Sequence, residues 1–155
     1  MKRFDLRSLR FHDESEVWRT LPVAVDPFHY GGLEYHVPDD TVEAELTAAR
    51  VGDNLTLTLD VHTDVLGPCQ RCLTDADIEV DARGVEYVQH GASETGEEDE
   101  EAYVEAHQLD LERWTRDLIA DALPQKLLCR DDCRGLCPVC GADLNADPDH
   151  RHEEA

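Results

Sequence analysis

The chain of 155 residues carries 36 acidic residues against 14 lysines and arginines, which gives a formal net charge of −22. General DNA or RNA binding needs a basic face that neutralises phosphates, so this charge excludes a protein that coats nucleic acid without sequence preference. No apolar segment follows Met1-Lys2-Arg3 and none approaches the roughly 18 residues of a membrane span, so the sequence predicts a cytoplasmic protein that engages neither a membrane nor DNA.

The first forty residues give weak structural signals. Phe4 to Leu9 has the mixed spacing of a short strand or turn. Val17 to Val25 indicates an extended segment, which Pro22 interrupts because proline lacks a backbone N–H.

A hairpin is the clearest local prediction. From Val42 to Ala48, and again from Leu55 to Val61, apolar residues alternate with polar ones. The sequence Gly52-Asp53-Asn54 between the two runs supplies a turn. Alternation on both sides of such a turn predicts an antiparallel hairpin with one buried face.

A third strand is predicted after the hairpin. Gly67-Pro68 ends the second strand and leads into Cys69-Gln-Arg-Cys72. Alternation then resumes and changes phase at Gly84, which predicts a bulge at that glycine. The apolar residues of the two phases are Ile78, Val80 and Ala82 before the glycine, and Val85 and Tyr87 after it.

The rest of the chain divides by composition. Residues 91–101 hold six acids and no large apolar side chain, which predicts a flexible acidic loop. Asp110 can cap a helix over about 111–123 with one apolar face. The domain organisation that follows is a mainly-β domain over 1–125, a cysteine-rich zinc-knuckle-like segment over 126–145 and a disordered tail over 146–155.

These elements define a fold class. The prediction is an α+β, mainly β domain, in which an antiparallel sheet or a small, partly closed barrel is covered by one helix. The zinc-knuckle-like segment follows this domain at the C-terminal side. A chain of this length buries a modest core, so its six cysteines are not needed as disulfide staples.

The cysteines point to a structural zinc site. Thiols in a reducing cytoplasm favour metal or redox chemistry over disulfides. In Cys137-Pro-Val-Cys140-Gly141 a tight turn can aim backbone N–H groups at the sulfurs, and glycine accepts the left-handed position after the second cysteine. The first predicted ligand set is local: Cys129, Cys133, Cys137 and Cys140. The alternative joins Cys69 and Cys72 to two of those four, and His150 or His152 can substitute as ligands.

A redox role for Cys69-Gln-Arg-Cys72 is a separate hypothesis. Arg71 could lower a thiol pKa and make the pair a thiol oxidoreductase. The pair follows a β-hairpin and Gly67-Pro68, however, with no helix start and no βαβ pattern around it. The sequence holds no phosphate-binding glycine loop and no recognisable catalytic constellation, so we expect no enzyme and no small-molecule substrate.

The order of motifs resembles a known family. It consists of Cys69-Gln-Arg-Cys72-Leu73, an alternating strand, an acidic loop, a helix ending in Ala122-Leu-Pro124, and then Cys129, Asp132-Cys133-Arg-Gly-Leu-Cys137-Pro-Val-Cys140-Gly-Ala-Asp-Leu144-Asn145. Over roughly residues 40–145 this is similar to the YceD-type large ribosomal RNA subunit accumulation proteins. The resemblance implies a non-enzymatic role in the synthesis, processing or stability of 23S rRNA, and it carries over no catalytic residues.

Two mechanisms are compatible with that role. In the first, Lys126, Arg130 and Arg134 beside the cysteines contact 23S rRNA. In the second, which the net charge favours, the acidic body binds a basic protein of the large ribosomal subunit and acts on rRNA indirectly. A zinc-stabilised acidic adaptor with no ribosomal role is the alternative function.

Overall fold

The computed structural model describes residues 1–12, 15–89 and 102–152. The predicted acidic loop, residues 91–101, lies outside the described residues. The strands are β1 (Arg3–Asp5), β2 (Glu16–Ala24), β3 (Phe28–Tyr30), β4 (Leu33–Tyr35), β5 (Thr41–Val51), β6 (Asn54–Pro68), β7 (Asp75–Val88), β8 (Val104–Glu105) and β9 (Gln108–Asp110). One α-helix, α1 (Leu111–Ala122), and two short 3-10 helices, Leu6–Ser8 and Pro38–Asp40, complete the described elements.

A four-stranded antiparallel sheet in the order β2-β5-β6-β7 forms the body of the protein. The predicted hairpin is confirmed: β5 and β6 pair from Ala44↔Val61 to Val51↔Asn54. Gly52 in the turn between them has a φ of +63°, a conformation that glycine adopts at no steric cost. Two small antiparallel sheets, β1-β9-β8 and β3-β4, flank this body.

The predicted fold class is confirmed, in the form of an open sheet. Among the described residues β2 pairs only with β5 and β7 only with β6, so these strands remain the two edges and no barrel closes. Pro22 lies in the edge strand β2, where a missing N–H is tolerated. The described part of the chain is therefore mainly β, with one helix on one face.

The helix begins and ends where its sequence predicts. The side chain of Asp110 accepts a hydrogen bond of 3.1 Å from the backbone N–H of Arg113, which satisfies one of the free donors at the helix start. Its apolar stripe, which includes Trp114 and Ile119, packs into the main core against the inner face of the sheet. Burying each such side chain contributes on the order of 2 kcal/mol.

The predicted bulge at Gly84 is wrong. The pairing of β6 with β7 runs without interruption from Leu55↔Val88 to Pro68↔Asp75. A Cβ on Gly84 would lie 2.7 Å from Trp114 Nε1 and 2.8 Å from Leu118 Cδ2, so the glycine lets α1 approach the strand. The phase change is real, because the apolar residues after Gly84 lie on the opposite face of the sheet.

Candidate metal centres and the outer face of the sheet

The structure brings four thiols together where the end of the β6–β7 hairpin meets the C-terminal segment. The four-cysteine cluster consists of Cys69, Cys72, Cys129 and Cys133, whose sulfur atoms all lie within 4.8 Å of one another. Three of the four are buried and Cys129 is half-buried. This cluster could hold a metal ion.

Three hydrogen bonds hold the two parts of the chain in register at this cluster. The N–H of Gln70 donates to Leu127 O over 2.8 Å, and the N–H of Leu127 donates to Gln70 Oε1 over 3.0 Å. The Arg71 guanidinium donates to Cys133 O over 2.8 Å. Arg71, which the redox hypothesis gave the role of lowering a thiol pKa, thus links the two cysteine pairs through a hydrogen bond.

The sulfur separations fit a tetrahedral metal site. Cys69 Sγ lies 3.7 Å from Cys133 Sγ, and Cys72 Sγ lies 3.6 Å from Cys129 Sγ. A tetrahedron with metal–sulfur bonds of about 2.3 Å has edges of about 3.8 Å, whereas a disulfide bond is about 2.05 Å long. All six cysteines are free thiols, and the four-sulfur donor set is one that zinc prefers.

Two thiols of the cluster differ in their pKa values. Burial raises the pKa of Cys69, but the backbone N–H groups of Cys72, Cys129 and Arg71 outweigh it and lower that pKa to about 6. Burial raises the pKa of Cys129 to about 12, helped by its hydrogen bond with Cys72. Neighbouring thiols cannot all ionise without a cation to offset their charge, so full ionisation of this cluster requires a bound metal.

A second group of donors lies beside the first. The cysteine–histidine cluster consists of Cys137, Cys140, His150 and His152, with ligand atoms within 4.8 Å of one another. Cys137 is buried, Cys140 and His152 are exposed, and His150 is half-buried. This cluster shares no residue with the first, and it too could hold a metal ion.

The two Cys-x-x-Cys turns have the same backbone geometry. Leu73 N–H donates to Cys69 O over 2.9 Å, and Cys69 N–H donates to Thr74 O over 2.7 Å. Gly141 N–H donates to Cys137 O over 2.8 Å, and Cys137 N–H donates to Ala142 O over 2.8 Å. The residue after each second cysteine is left-handed, with φ of +63° at Leu73 and +73° at Gly141. The Cys69–Cys72 turn, the first knuckle, therefore has the same backbone fold as the Cys137–Cys140 turn, the second knuckle, although its sequence is plainer.

The predicted local ligand set does not lie together in the structure. Cys129 and Cys133 face the end of the β6–β7 hairpin, as the alternative grouping with Cys69 and Cys72 expected, while Cys137 and Cys140 turn towards the histidines. Gly135 lies between the two groups with a φ of +77°, and a Cβ there would lie 3.1 Å from Arg71 O. A side chain at this position would be strained by the positive φ and crowded by Arg71 O.

The described part of the predicted disordered tail lies against the cysteine-rich segment. Asp147 N–H donates to Asp143 O over 3.1 Å, and His150 N–H donates to Asp147 O over 3.2 Å. These turns carry His150 and His152 back to the second knuckle.

Two of the three basic residues predicted to bind RNA or a partner hold this segment. Arg130 Nη2 donates to Asn145 Oδ1 over 2.9 Å, and Arg130 also pairs with Asp132 at 3.2 Å. The backbone N–H of Arg134 donates to Asn145 Oδ1 over 2.8 Å, and its guanidinium donates to Pro148 O. Lys126 is exposed. The two arginines thus have structural contacts of their own.

One surface was missed by the sequence reasoning. The outer face of the four-stranded sheet, turned away from α1, carries Trp18, which is 69% exposed, and Tyr87, which is 72% exposed. The strand registers align Trp18, Thr47, Thr58 and Val85 in one row across the sheet. The acids on the same face are Glu16, Glu43, Glu45, Asp60, Asp64, Asp75, Asp77, Glu79 and Asp81. The change in the apolar alternation at Gly84 was the sequence signal for this surface, because from that glycine onward β7 places apolar side chains on the outer face.

No described helix is long and apolar enough to span a membrane. The sequence model of the family described as "Large ribosomal RNA subunit accumulation protein YceD" matches residues 57–155. No solved structure gives a significant match.

Two mycobacterial relatives are similar over most of the chain. The uncharacterized protein Rv2926c of Mycobacterium tuberculosis is 35% identical over 128 residues, which cover 79% of this chain and 62% of the relative. The uncharacterized protein ML1660 of Mycobacterium leprae is 30% identical over 124 residues, 78% of this chain and 56% of the relative. The chain thus spans about three fifths of the length of the curated relatives it matches.

Proposed function

Because the chain belongs to the YceD family of large ribosomal RNA subunit accumulation proteins, we propose that it is a non-enzymatic ribosome biogenesis factor that supports the synthesis, processing or stability of 23S rRNA. It works in the cytoplasm and acts on rRNA indirectly, through a basic protein of the large subunit. The observation that carries the indirect mechanism is the acidic outer face of the sheet.

The chemistry of the outer face favours a cationic protein segment over RNA. Glu45 and Asp60 lie in the next row on one side of Trp18, Thr47, Thr58 and Val85, and Glu16 lies in the next row on the other side. The one arginine of these strands on this face, Arg83, is ion-paired with Asp60. Such a surface repels phosphates and attracts lysine and arginine side chains. The faces of exposed aromatic rings bind the same cations, most strongly when the cation is arginine.

The dimensions of this face suit an extended basic segment. Trp18 lies on one edge strand and Val85 and Tyr87 on the other, so the row crosses four strands, or about 14 Å at the usual strand spacing. An arginine- and lysine-rich segment laid along that row would place cations over the rings and beside acids such as Glu45 and Asp60. Arg130 and Arg134 already form hydrogen bonds with Asn145 in the C-terminal segment. They are therefore less available to bind RNA phosphates than the direct mechanism requires.

Crosslinking in cells tests the indirect mechanism. We expect the chain to recover a basic large-subunit protein, and we expect Glu43→Lys with Glu45→Lys to reduce that recovery at least tenfold, because the negative charge of the face falls by four and two lysines then repel the cationic partner. The matched control is Glu105→Lys with Asp121→Lys, which makes the same change in net charge at exposed positions off the outer face. Recovery of 23S rRNA without any basic protein would contradict the indirect mechanism and favour direct RNA contact.

The four-cysteine cluster serves this function as a structural zinc site. Its sulfur spacing is that of a tetrahedral site, and hydrogen bonds of Gln70 and Arg71 join the two parts of the chain beside it. Both features support a closed site that holds the C-terminal segment against the sheet. All four positions are occupied by thiolates, so the metal would stabilise the fold and activate no water. Metal analysis of Cys69→Ser with Cys72→Ser should show the loss of one zinc ion relative to the unaltered chain.

The oxidoreductase alternative has one feature in its favour, the lowered pKa of Cys69. Cys69 is fully buried, however, whereas a redox thiol must reach its substrate. A thiol-reductase assay that shows turnover in the unaltered chain and none in Cys72→Ser would support the enzyme and overturn the proposed structural role.

A further inference from the structure

The cysteine–histidine cluster contains the donor set of a metal site in the segment expected to be a disordered tail. Cys137 Sγ lies 3.1 Å from His152 Nε2, Cys140 Sγ lies 3.2 Å from His150 Nε2, and the two Nε2 atoms are 3.1 Å apart. A tetrahedral site with two sulfurs and two nitrogens has edges of about 3.4 to 3.8 Å. The four donors therefore converge on one point with spacings slightly shorter than those of a bound site.

The backbone around Cys137 is arranged for a thiolate. Its turn repeats, bond for bond, the turn at Cys69 in the four-cysteine cluster. The backbone N–H groups of Cys140 and Val139 donate hydrogen bonds to the sulfur of Cys137. The same local fold thus occurs twice in the chain, once at each group of donors.

The histidines are held by contacts that a loose tail would lack. Arg134 donates to Pro148 O over 3.2 Å, and Leu144 N–H donates to Gly135 O over 3.0 Å. His150 Nδ1 lies 3.6 Å from an Asp147 carboxylate oxygen. A carboxylate beside the ring nitrogen opposite the ligating one is the usual outer partner of a metal-bound histidine, because it fixes the tautomer and orients the ring.

We propose that Cys137, Cys140, His150 and His152 form a second zinc site, separate from the four-cysteine cluster. Its donors are sulfur and imidazole nitrogen, the pair of ligand types that structural zinc uses in tetrahedral Cys₂His₂ sites. This site closes residues 141–149 into a loop, so the chain binds two zinc ions.

The zinc content of a histidine variant tests the second site. We expect the unaltered chain, purified without chelator, to hold two zinc ions, and His150→Ala with His152→Ala to hold one. Both histidines lie after the last described strand and helix, so the variant keeps the elements of the core. The matched control is His12→Ala with His29→Ala, which removes two exposed histidines elsewhere and should retain both ions.

Cobalt(II) identifies the ligands that are lost. Loaded with Co²⁺ alone, the unaltered chain should show two sets of d–d bands, and the histidine variant should lose the set at shorter wavelength, which belongs to the site with two nitrogens. The remaining bands should be those of a four-sulfur site. The proposal is overturned if the histidine variant keeps all the zinc and the full cobalt spectrum of the unaltered chain.

Discussion

Leu73 occupies a backbone conformation that a branched side chain seldom adopts. Its φ is +63°, its side chain is 58% exposed, and its N–H closes the turn onto Cys69 O. Gly141 fills the same position in the second knuckle. A left-handed residue other than glycine costs on the order of 1 kcal/mol, so the first knuckle stores strain that the second lacks.

Replacing this leucine should release the strain. We expect Leu73→Gly to raise the free energy of unfolding by up to about 1 kcal/mol, because the strain removed exceeds the entropy that glycine adds to the unfolded chain. Urea denaturation measures the change. Val85→Gly, at an exposed position in a regular strand, should instead destabilise the protein, and a loss of stability in Leu73→Gly as large as in that control would contradict the assignment.

His62 and Asp81 form a pH-sensitive pair on the outer face. His62 Nδ1 lies 2.6 Å from Asp81 Oδ1, and this hydrogen bond, aided by the carboxylate charge, raises the pKa of His62 above its ordinary 6.5. A raised pKa in the folded state favours folding below about pH 6.5, and this contribution disappears as the pH rises through the raised value.

The His62 pKa is directly measurable. In an NMR titration of the ring protons we expect a midpoint above 6.5 in the unaltered chain and a lower midpoint in Asp81→Asn, which removes the carboxylate charge. Asp77→Asn, on the same strand and the same face, should leave the midpoint in place. An unchanged midpoint in Asp81→Asn would show that the pair does not form in solution.

At the scale of elements, the contact of α1 with β7 depends on the missing side chain at Gly84. We expect Gly84→Ala to lower the free energy of unfolding by about 1–3 kcal/mol, because its Cβ would overlap Trp114 and Leu118. Thermal or urea unfolding measures the loss. Adding Leu118→Ala should recover part of it; strictly additive effects in this double-mutant cycle would mean that the helix does not contact the glycine.

The long elements were predictable because their periodicity is local. Alternation around Gly52 fixed β5 and β6, and the cap at Asp110 with its apolar stripe fixed α1. The prediction at Gly84 was wrong because two structures shift the apolar alternation in the same way: a bulge, and a regular strand that places apolar side chains on its outer face. The short pairs β3–β4 and β8–β9 have two or three residues a strand and so carry no detectable period.

At the scale of the whole molecule, the grouping of the cysteines could be predicted only in part. Six thiols and two histidines allow many combinations of four, and local spacing favoured Cys129 and Cys133 with Cys137 and Cys140. The observed grouping depends on a contact between Gln70 and Leu127, which are 57 residues apart. Spacing along the chain contains no information about that contact.

Removing the metal with a chelator should lower the thermal stability of the chain. We expect excess EDTA to lower the Tm by about 10 °C, since a ligand at a thousand times its Kd contributes about 4 kcal/mol and each kcal/mol shifts a chain of this size by about 2–4 °C. EDTA saturated with zinc beforehand is the control and should leave the Tm unchanged. The same Tm with and without free EDTA would contradict a metal that supports the fold.

The four-cysteine cluster also closes a ring of chain. Cys72 and Cys129 are 57 residues apart, and the segment between them includes the acidic residues 91–101. Loop-closure entropy grows only with the logarithm of length, so removing those eleven residues would change it by about 0.2 kcal/mol. The acidic segment can therefore lengthen, shorten or change composition at almost no thermodynamic cost to the cross-link, which leaves it free to vary while the two ends of the ring stay joined.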